Sequence, residues 1–154
     1  MEHGQVKTGT GDEYIYEVKA SVDDMTGEEL GFAHGRLEEA GAADVYFTPV
    51  YMKKNRPGTL ITCLVRGEKL EQVIDAMLRH TSTRGVRYAR YSRRVMSAEM
   101  LSADTEYGPI AIKRSVYGDI VKEKPEYEDV AAAAEKHGVS IQEVRKNVIN
   151  CKFK

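Results

Sequence analysis

The sequence predicts an α+β protein built on an antiparallel sheet, and three observations carry the prediction. Side chains from Tyr14 to Val22 alternate, with Tyr14, Tyr16, Val18, Ala20 and Val22 on one face and Glu17, Lys19 and Ser21 on the other, as in a half-buried strand. Thr26 followed by Glu29 forms a capping box ahead of Leu30, Ala33, Leu37 and Ala40, which recur at helical spacing before Gly41. Two further strand signals, a second amphipathic run and a fourth strand then follow. The resulting order of strand, helix, strand, strand, helix, strand is the split βαβ of ferredoxin-like domains, with both helices on one face of the sheet.

Each later element has its own signal. Asp44 to Met52 and Thr59 to Arg66 read as the second and third strands, joined through Lys53-Lys54-Asn55-Arg56-Pro57-Gly58, with Pro57-Gly58 expected at the centre of a type II turn. Leu70, Val73, Ile74, Met77 and Leu78 mark the second helix, and Val86 to Val95 the fourth strand. Glu99 to Tyr107 and Ile110 to Tyr117 predict an added hairpin turned at Gly108-Pro109, where edge pairing with another subunit is expected, so a homo-oligomer is expected with no subunit number set by the sequence. Lys122 to Asp129 reads as a charged loop entering an Ala-rich helix that Gly138 ends. Ser140 and Glu143 then cap a last helix carrying Ile141, Val144, Val148 and Ile149. The expected organisation is a flexible lead-in over 1–13, a core with its hairpin over 14–118, and a two-helix segment over 119–154.

Composition narrows the function classes. A length of 154 residues suits one good core with an accessory segment, and 42% hydrophobic with 31% charged residues is that of a folded domain. A net charge of -1 argues against bulk electrostatic binding of nucleic acid, and no apolar run approaches the ~20 residues that span a membrane. Cys63 and Cys151 form no disulfide framework and suit a reducing cytoplasm; His3, His34, His80 and His137 show no paired ligand spacing. Gly9-Thr10-Gly11 does not complete a dinucleotide fingerprint, and no P-loop is present.

The chemistry is expected where the predicted topology gathers three junctions at one edge of the sheet. Asp23-Asp24-Met25-Thr26 offers two carboxylates beside a helix N-terminus, Lys53 to Gly58 offers three cations and an amide, and Thr81-Ser82-Thr83-Arg84-Gly85 offers hydroxyls and an arginine. Carboxylate oxygens suit Mg²⁺ or Mn²⁺, which take phosphate oxygens as further ligands. Arg56 can grip a phosphate bidentately, Lys53 and Lys54 act as point charges, and Asn55, Thr81, Thr83 and Arg84 complete the set. The free N–H groups of the helix near Thr26 favour an anion as well. A metal-bound polyphosphate ester is the ligand these residues suit, with Asp23, Asp24, Lys53 and Lys54 in the reactive positions. The competing reading has Asp23-Asp24 merely preceding a helix and Lys53 to Arg56 as a solvated hairpin tip. Two other functions remain open: a non-catalytic anion-binding regulatory module, and an RNA-binding module using Arg84, Arg87, Arg90, Arg93 and Arg94 interleaved with Tyr88 and Tyr91.

Four runs carry a family resemblance. Val22-Asp23-Asp24-Met25-Thr26-Gly27-Glu28, Asp44-Val45-Tyr46-Phe47-Thr48-Pro49, Met52-Lys53-Lys54-Asn55-Arg56-Pro57-Gly58 and Lys124-Pro125-Glu126-Tyr127-Glu128-Asp129 resemble, in order and spacing, the C-terminal domain of the LarC family of nickel-pincer cofactor biosynthesis. That family inserts Ni²⁺ into a pyridinium bis-thiocarboxylate mononucleotide, making the cofactor of lactate racemase, and couples the step to CTP hydrolysis with a divalent metal. The resemblance implies a CTP-dependent nickel chelatase, a cyclometallase of the lyase class, in which this chain is the CTP-binding part, with Mn²⁺ or Mg²⁺ near Asp23 and Asp24. It places Lys53, Lys54, Asn55 and Arg56 at the phosphates and adds Lys124 to the nucleotide contacts. It also implies that nickel is held mainly by the family's N-terminal domain, whose His-rich stretch is absent from this sequence and which is therefore an expected partner.

Overall fold

The protein's structure, a computed structural model, describes residues 13–149. The lead-in over 1–12, His3, Gly9-Thr10-Gly11 and Cys151 lie outside the described residues. The described chain divides into two compact units, 13–93 and 94–149.

The first unit contains β1 (Glu13–Val22), α1 (Gly27–Glu39), β2 (Asp44–Met52), β3 (Arg56–Val65), α2 (Leu70–His80) and β4 (Arg87–Arg93). Its sheet has the order β2-β3-β1-β4, all antiparallel, which is the ferredoxin-like arrangement. Register sets the buried face: Val18 pairs with Cys63 and Ala20 with Ile61, and these residues join Val22, Val45 and Val65 against Leu37, Val73, Ala76 and Met77 of the two helices. Of the apolar positions expected on α1, Ala33 and Leu37 are buried, while Leu30 and Ala40 pack partly against the core. Tyr14, at the start of the expected buried face of β1, is exposed, and Leu78 of α2 is exposed too.

The turn between β2 and β3 differs from the expectation. Met52 pairs with Arg56 and Tyr51 with Pro57, so Pro57 and Gly58 belong to β3 and the chain reverses at Lys53–Asn55. Lys54 and Asn55 have φ of 60° and 59°, and Asn tolerates this left-handed conformation better than most residues. Pro57 is accommodated because β1 pairs with β3 only from Thr59 onward, so its missing N–H breaks no ladder on that side.

The second unit holds β5 (Ser97–Thr105), β6 (Gly108–Tyr117), β7 (Ile120–Pro125), α3 (Tyr127–His137) and α4 (Ile141–Ile149). The expected hairpin is there, but it reverses at Glu106–Tyr107 and not at Gly108-Pro109: Thr105 pairs with Gly108, whose φ is 105°, and Asp104 with Pro109, so both belong to β6. A third strand extends it, since Lys122 to Pro125, expected as loop, is part of β7. This sheet, ordered β5-β6-β7, shares its core with the terminal helices through Ala103, Ile110, Ile112, Val130, Ala133, Ala134, Val144 and Val148. The division therefore falls at Arg93–Arg94 and not after residue 118, because the hairpin's buried side is covered by α3 and α4. Asp129 fastens the helix to the sheet by accepting the Ala111 N–H at 2.7 Å. Gly138, at φ of 64°, ends α3, and Ser140 caps the Glu143 N–H of α4 at 3.2 Å.

Candidate functional site

The three expected junctions meet at one end of the first sheet. Asp23, just past β1, accepts from the Arg56 guanidinium of the β2–β3 hairpin at 3.4 Å. Asp24 accepts from the hydroxyl of Ser82, past the end of α2, and the Ser82 N–H approaches the Met25 sulfur at 3.5 Å. Adjacent carboxylates thus tie two different loops to the end of β1. Gly58 permits the close approach: a Cβ there would stand 2.7 Å from the Val22 carbonyl oxygen, immediately before Asp23.

The hairpin tip presents positive charge outward. Lys53, Lys54 and Asn55 are exposed, and neither lysine has an ion pair or hydrogen bond among the described residues. The left-handed turn at Lys54 and Asn55 shapes this tip. Arg84 is likewise exposed and without a partner among the described residues.

Other expected contacts take different roles. Thr81 donates its hydroxyl to the Met77 carbonyl at 2.7 Å and accepts from the Thr83 N–H, while Thr83 donates to the Gly85 carbonyl at 2.8 Å. Both hydroxyl protons shape their own loop, and Ser82 is the residue that reaches a carboxylate. The α1 N-terminus is also largely satisfied from within: Thr26 caps the Glu29 N–H at 3.3 Å, and the Glu29 carboxylate accepts the Thr26 N–H at 2.7 Å. Glu28 and Glu29 further complement the helix dipole, so this end is a poorer anion site than expected, whereas the cations of the hairpin tip stay exposed. Lys124 lies on β7 of the second unit, opposite Lys113.

Sequence reasoning missed a cleft of about 530 Å³ beside Asp24, lined also by Glu28, Phe32, His80, Thr81 and Ser82. Phe32 is 60% exposed, stacks edge-on with His80 at 5.8 Å and carries the Arg36 guanidinium 5.3 Å from its centroid. Its signal was an aromatic on the wet side of an amphipathic helix, at i+4 from Glu28.

The donor set discriminates between metals. Among the described residues no three His, Cys, Asp or Glu side chains converge. Two adjacent carboxylates still fit Mg²⁺ or Mn²⁺, which are commonly bound by one or two carboxylates with phosphates and water completing the shell. They fit nickel poorly, since it prefers nitrogen and sulfur ligands. Cys63 is buried between β1 and β2, and burial, with the Asp44 charge second, pushes its thiol up to about 12.

Ferredoxin-like architecture with these loops defines a class by comparison: the chain belongs to the nickel insertion protein family, whose model matches residues 4–145. The chain is 40% identical over 134 residues to the pyridinium-3,5-bisthiocarboxylic acid mononucleotide nickel insertion protein of Geobacillus kaustophilus, covering 86% of this chain and 33% of that protein. The protein of the same description from Lactiplantibacillus plantarum is 38% identical over 140 residues, covering 91% and 33%. The chain thus spans about a third of the length of these curated relatives. Among solved structures it is similar to LarC2, described as the C-terminal domain of a cyclometallase involved in synthesis of the NPN cofactor of lactate racemase. That match has TM-score 0.83 and 36% identity, and covers 90% of this chain and 96% of the other. A Methanopyrus kandleri protein, at 24% identity and TM-score 0.69, shares the fold. Among the described residues no helix is long and apolar enough to cross a membrane.

Proposed function

We propose that this chain is the CTP-binding domain of a cytoplasmic nickel insertion enzyme that makes the nickel-pincer nucleotide cofactor of lactate racemase. The observation that carries the reading is the pair of contacts from adjacent carboxylates, Asp23 to Arg56 and Asp24 to Ser82, with Lys53 and Lys54 exposed and unpaired among the described residues. Triphosphate oxygens replace the Asp23 carboxylate on Arg56, whose fork suits bidentate phosphate binding. Asn55 and Arg84 supply further donors, and Lys53 and Lys54 offset charge developing on a pyrophosphate leaving group while water attacks. Mn²⁺ or Mg²⁺ at Asp23 and Asp24 would neutralise phosphate charge and fix its orientation.

The whole-protein reaction, nickel insertion into the pyridinium mononucleotide, is assigned to this domain acting with the family's N-terminal part. The donors present at the loops, two carboxylates beside lysines and an arginine, suit Mn²⁺ or Mg²⁺ better than nickel, which supports this division. Calorimetry with CTP, ATP, GTP and UTP, with and without Mn²⁺, followed by a nucleotide product assay, tests the reading. The expected result is Mn²⁺-dependent binding with CTP preferred and turned over. Binding of no nucleotide sinks the proposal, and binding without turnover returns the domain to a regulatory module.

A further inference from the structure

The open face of the second sheet carries a charge arrangement that the nucleotide loops do not explain. Lys113 on β6 stands directly opposite Lys124 on β7, and Lys122 is opposite Ser115 on the same face. Like charges in direct cross-strand register are unfavourable. None of the three lysines has an ion pair or hydrogen bond among the described residues. The covered face behaves differently, since Arg114 is answered there by Glu99 at 3.3 Å and Glu123 at 3.5 Å. Among the described residues of this sheet and its turns, acids on the open side stand at its ends, with Asp104 opposite Pro109 and Asp119 in the β6–β7 turn. Lysines on an edge strand protect against strand pairing, which accounts for Lys122 and Lys124 on β7. That reason does not reach Lys113, because β6 is the central strand.

Beside this basic strip lies a pocket of about 270 Å³ lined by Arg94, Met96, Tyr117, Ile120 and Lys122. Tyr117 and Ile120 face each other across the strand pair, and the Arg94 guanidinium donates to the Tyr117 hydroxyl at 3.1 Å. Ring-sized apolar walls next to fixed cations suit an aromatic anion. The relatives' substrate name describes one: a pyridinium ring whose single positive charge is outweighed by two thiocarboxylates and a phosphate.

We propose that Lys113, Lys122 and Lys124, with the Tyr117–Ile120 pocket, bind an anionic pyridinium mononucleotide on the second unit, a site additional to the nucleotide loops of the first. Its ring packs on Tyr117, Ile120 and Met96, and the lysines hold its phosphate and ring acid groups. The identity of this ligand rests on the proposed nickel insertion function; the anion site itself rests on the lysines.

Nicotinic acid mononucleotide, with a pyridinium ring, one carboxylate and a phosphate, is the probe. It is titrated by calorimetry into the full chain, in parallel with Mn²⁺–CTP on the same samples. Saturable binding is expected, weakened about tenfold by Lys113→Ala or Lys122→Ala and unchanged by Lys54→Ala. Ribose 5-phosphate, lacking the ring, should bind at least about tenfold more weakly. No probe binding by samples that still bind Mn²⁺–CTP overturns this site alone, leaving the nucleotide reading intact. Equal affinity in the lysine variants, equal binding of ribose 5-phosphate, or loss of probe binding in Lys54→Ala overturns it as well. Probe binding as expected by a chain that fails to bind Mn²⁺–CTP keeps this site and rejects the nucleotide loops.

Discussion

Gly58→Ala is the smallest change that separates hairpin geometry from hairpin charge. The added Cβ would lie 2.7 Å from the Val22 carbonyl oxygen, 2.7 Å from the Met52 sulfur and 3.2 Å from Met52 Cγ. Met52 is unbranched and can swing aside, but the Val22 oxygen is backbone at the end of β1, with Asp23 the next residue. Relief therefore means parting β1 from β3 by some tenths of an ångström, which moves Asp23 away from Arg56. Overpacking of this kind costs about 1–3 kcal/mol, and removing a glycine from the unfolded chain returns about 0.4–1 kcal/mol, leaving a net loss of about 1–2 kcal/mol. For a chain of this size that corresponds to a melting temperature lower by about 2–8 °C. Circular dichroism melts measure it, and Mn²⁺–CTP titration of the same variant should show weaker binding although no charge has changed. Adding Met52→Ala removes both Met52 contacts and leaves the one to the Val22 oxygen, so the double variant should remain destabilised. A Gly58→Ala protein that melts within about 1 °C of the parent and binds CTP equally well would refute the close approach and its role in placing Asp23.

Further outcomes follow from the core and from two titrating groups. Cys63 should resist iodoacetamide at pH 8 in a Cys151→Ser background until the protein is unfolded; rapid labelling of the native state would contradict its burial. Because its thiol is raised from 9.0 to about 12, the unfolded chain loses that proton first, and stability should fall as pH rises from 9 towards 12. Urea melts across that range should show a shallower fall in Cys63→Ala, and an unchanged slope would count against the shift. Glu17 is held below its usual value first by its hydrogen bond to Lys19, with the Lys19 charge and the Tyr91 and Tyr46 hydroxyls assisting against burial. Its contribution is present above pH 4.5 and lost as pH falls through the lowered value, so Glu17→Gln should flatten the acid limb of the stability profile. Ile112→Ala in the second core should cost about 2–5 kcal/mol in chemical unfolding; a loss below 1 kcal/mol would mean the sheet and helices do not share that core.

The first unit was legible because its signals agree across levels. Period-two alternation in β1, the Thr26–Glu29 capping box and the spacing of Leu30, Ala33 and Leu37 all point to the same packing. Pro57-Gly58 is a strong turn dipeptide locally, but tertiary pairing of Met52 with Arg56 overrides it and puts the reversal at Lys53–Asn55. β7 was hidden by alternating charge: Lys122, Glu123 and Lys124 read as solvated loop because an edge strand need bury little. Convergence of Asp23 with Arg56 followed from topology, and the Asp24 partner did not, since Ser82 looked no different from Thr81 and Thr83 in sequence. Only the fold shows that both threonines are committed to their own loop. Resemblance alone puts Lys124 with the nucleotide contacts, and its cross-strand register with Lys113 is visible only in the folded β6–β7 pair.

Mn²⁺ itself can report where the nucleotide metal sits, because a paramagnetic ion broadens nearby amide resonances steeply with distance. In ¹⁵N-labelled protein, substoichiometric Mn²⁺ with CTP should broaden most strongly the amides of Asp23 to Thr26, Lys53 to Gly58 (except Pro57, which has no amide proton) and Thr81 to Gly85. Broadening at 23–26 should be lost in an Asp23→Asn, Asp24→Asn double variant, in which two amides keep the side-chain shape without the charge. Strong broadening centred on any other group of residues, or an unchanged pattern in that double variant, would contradict the assignment of these carboxylates as the metal's anchor.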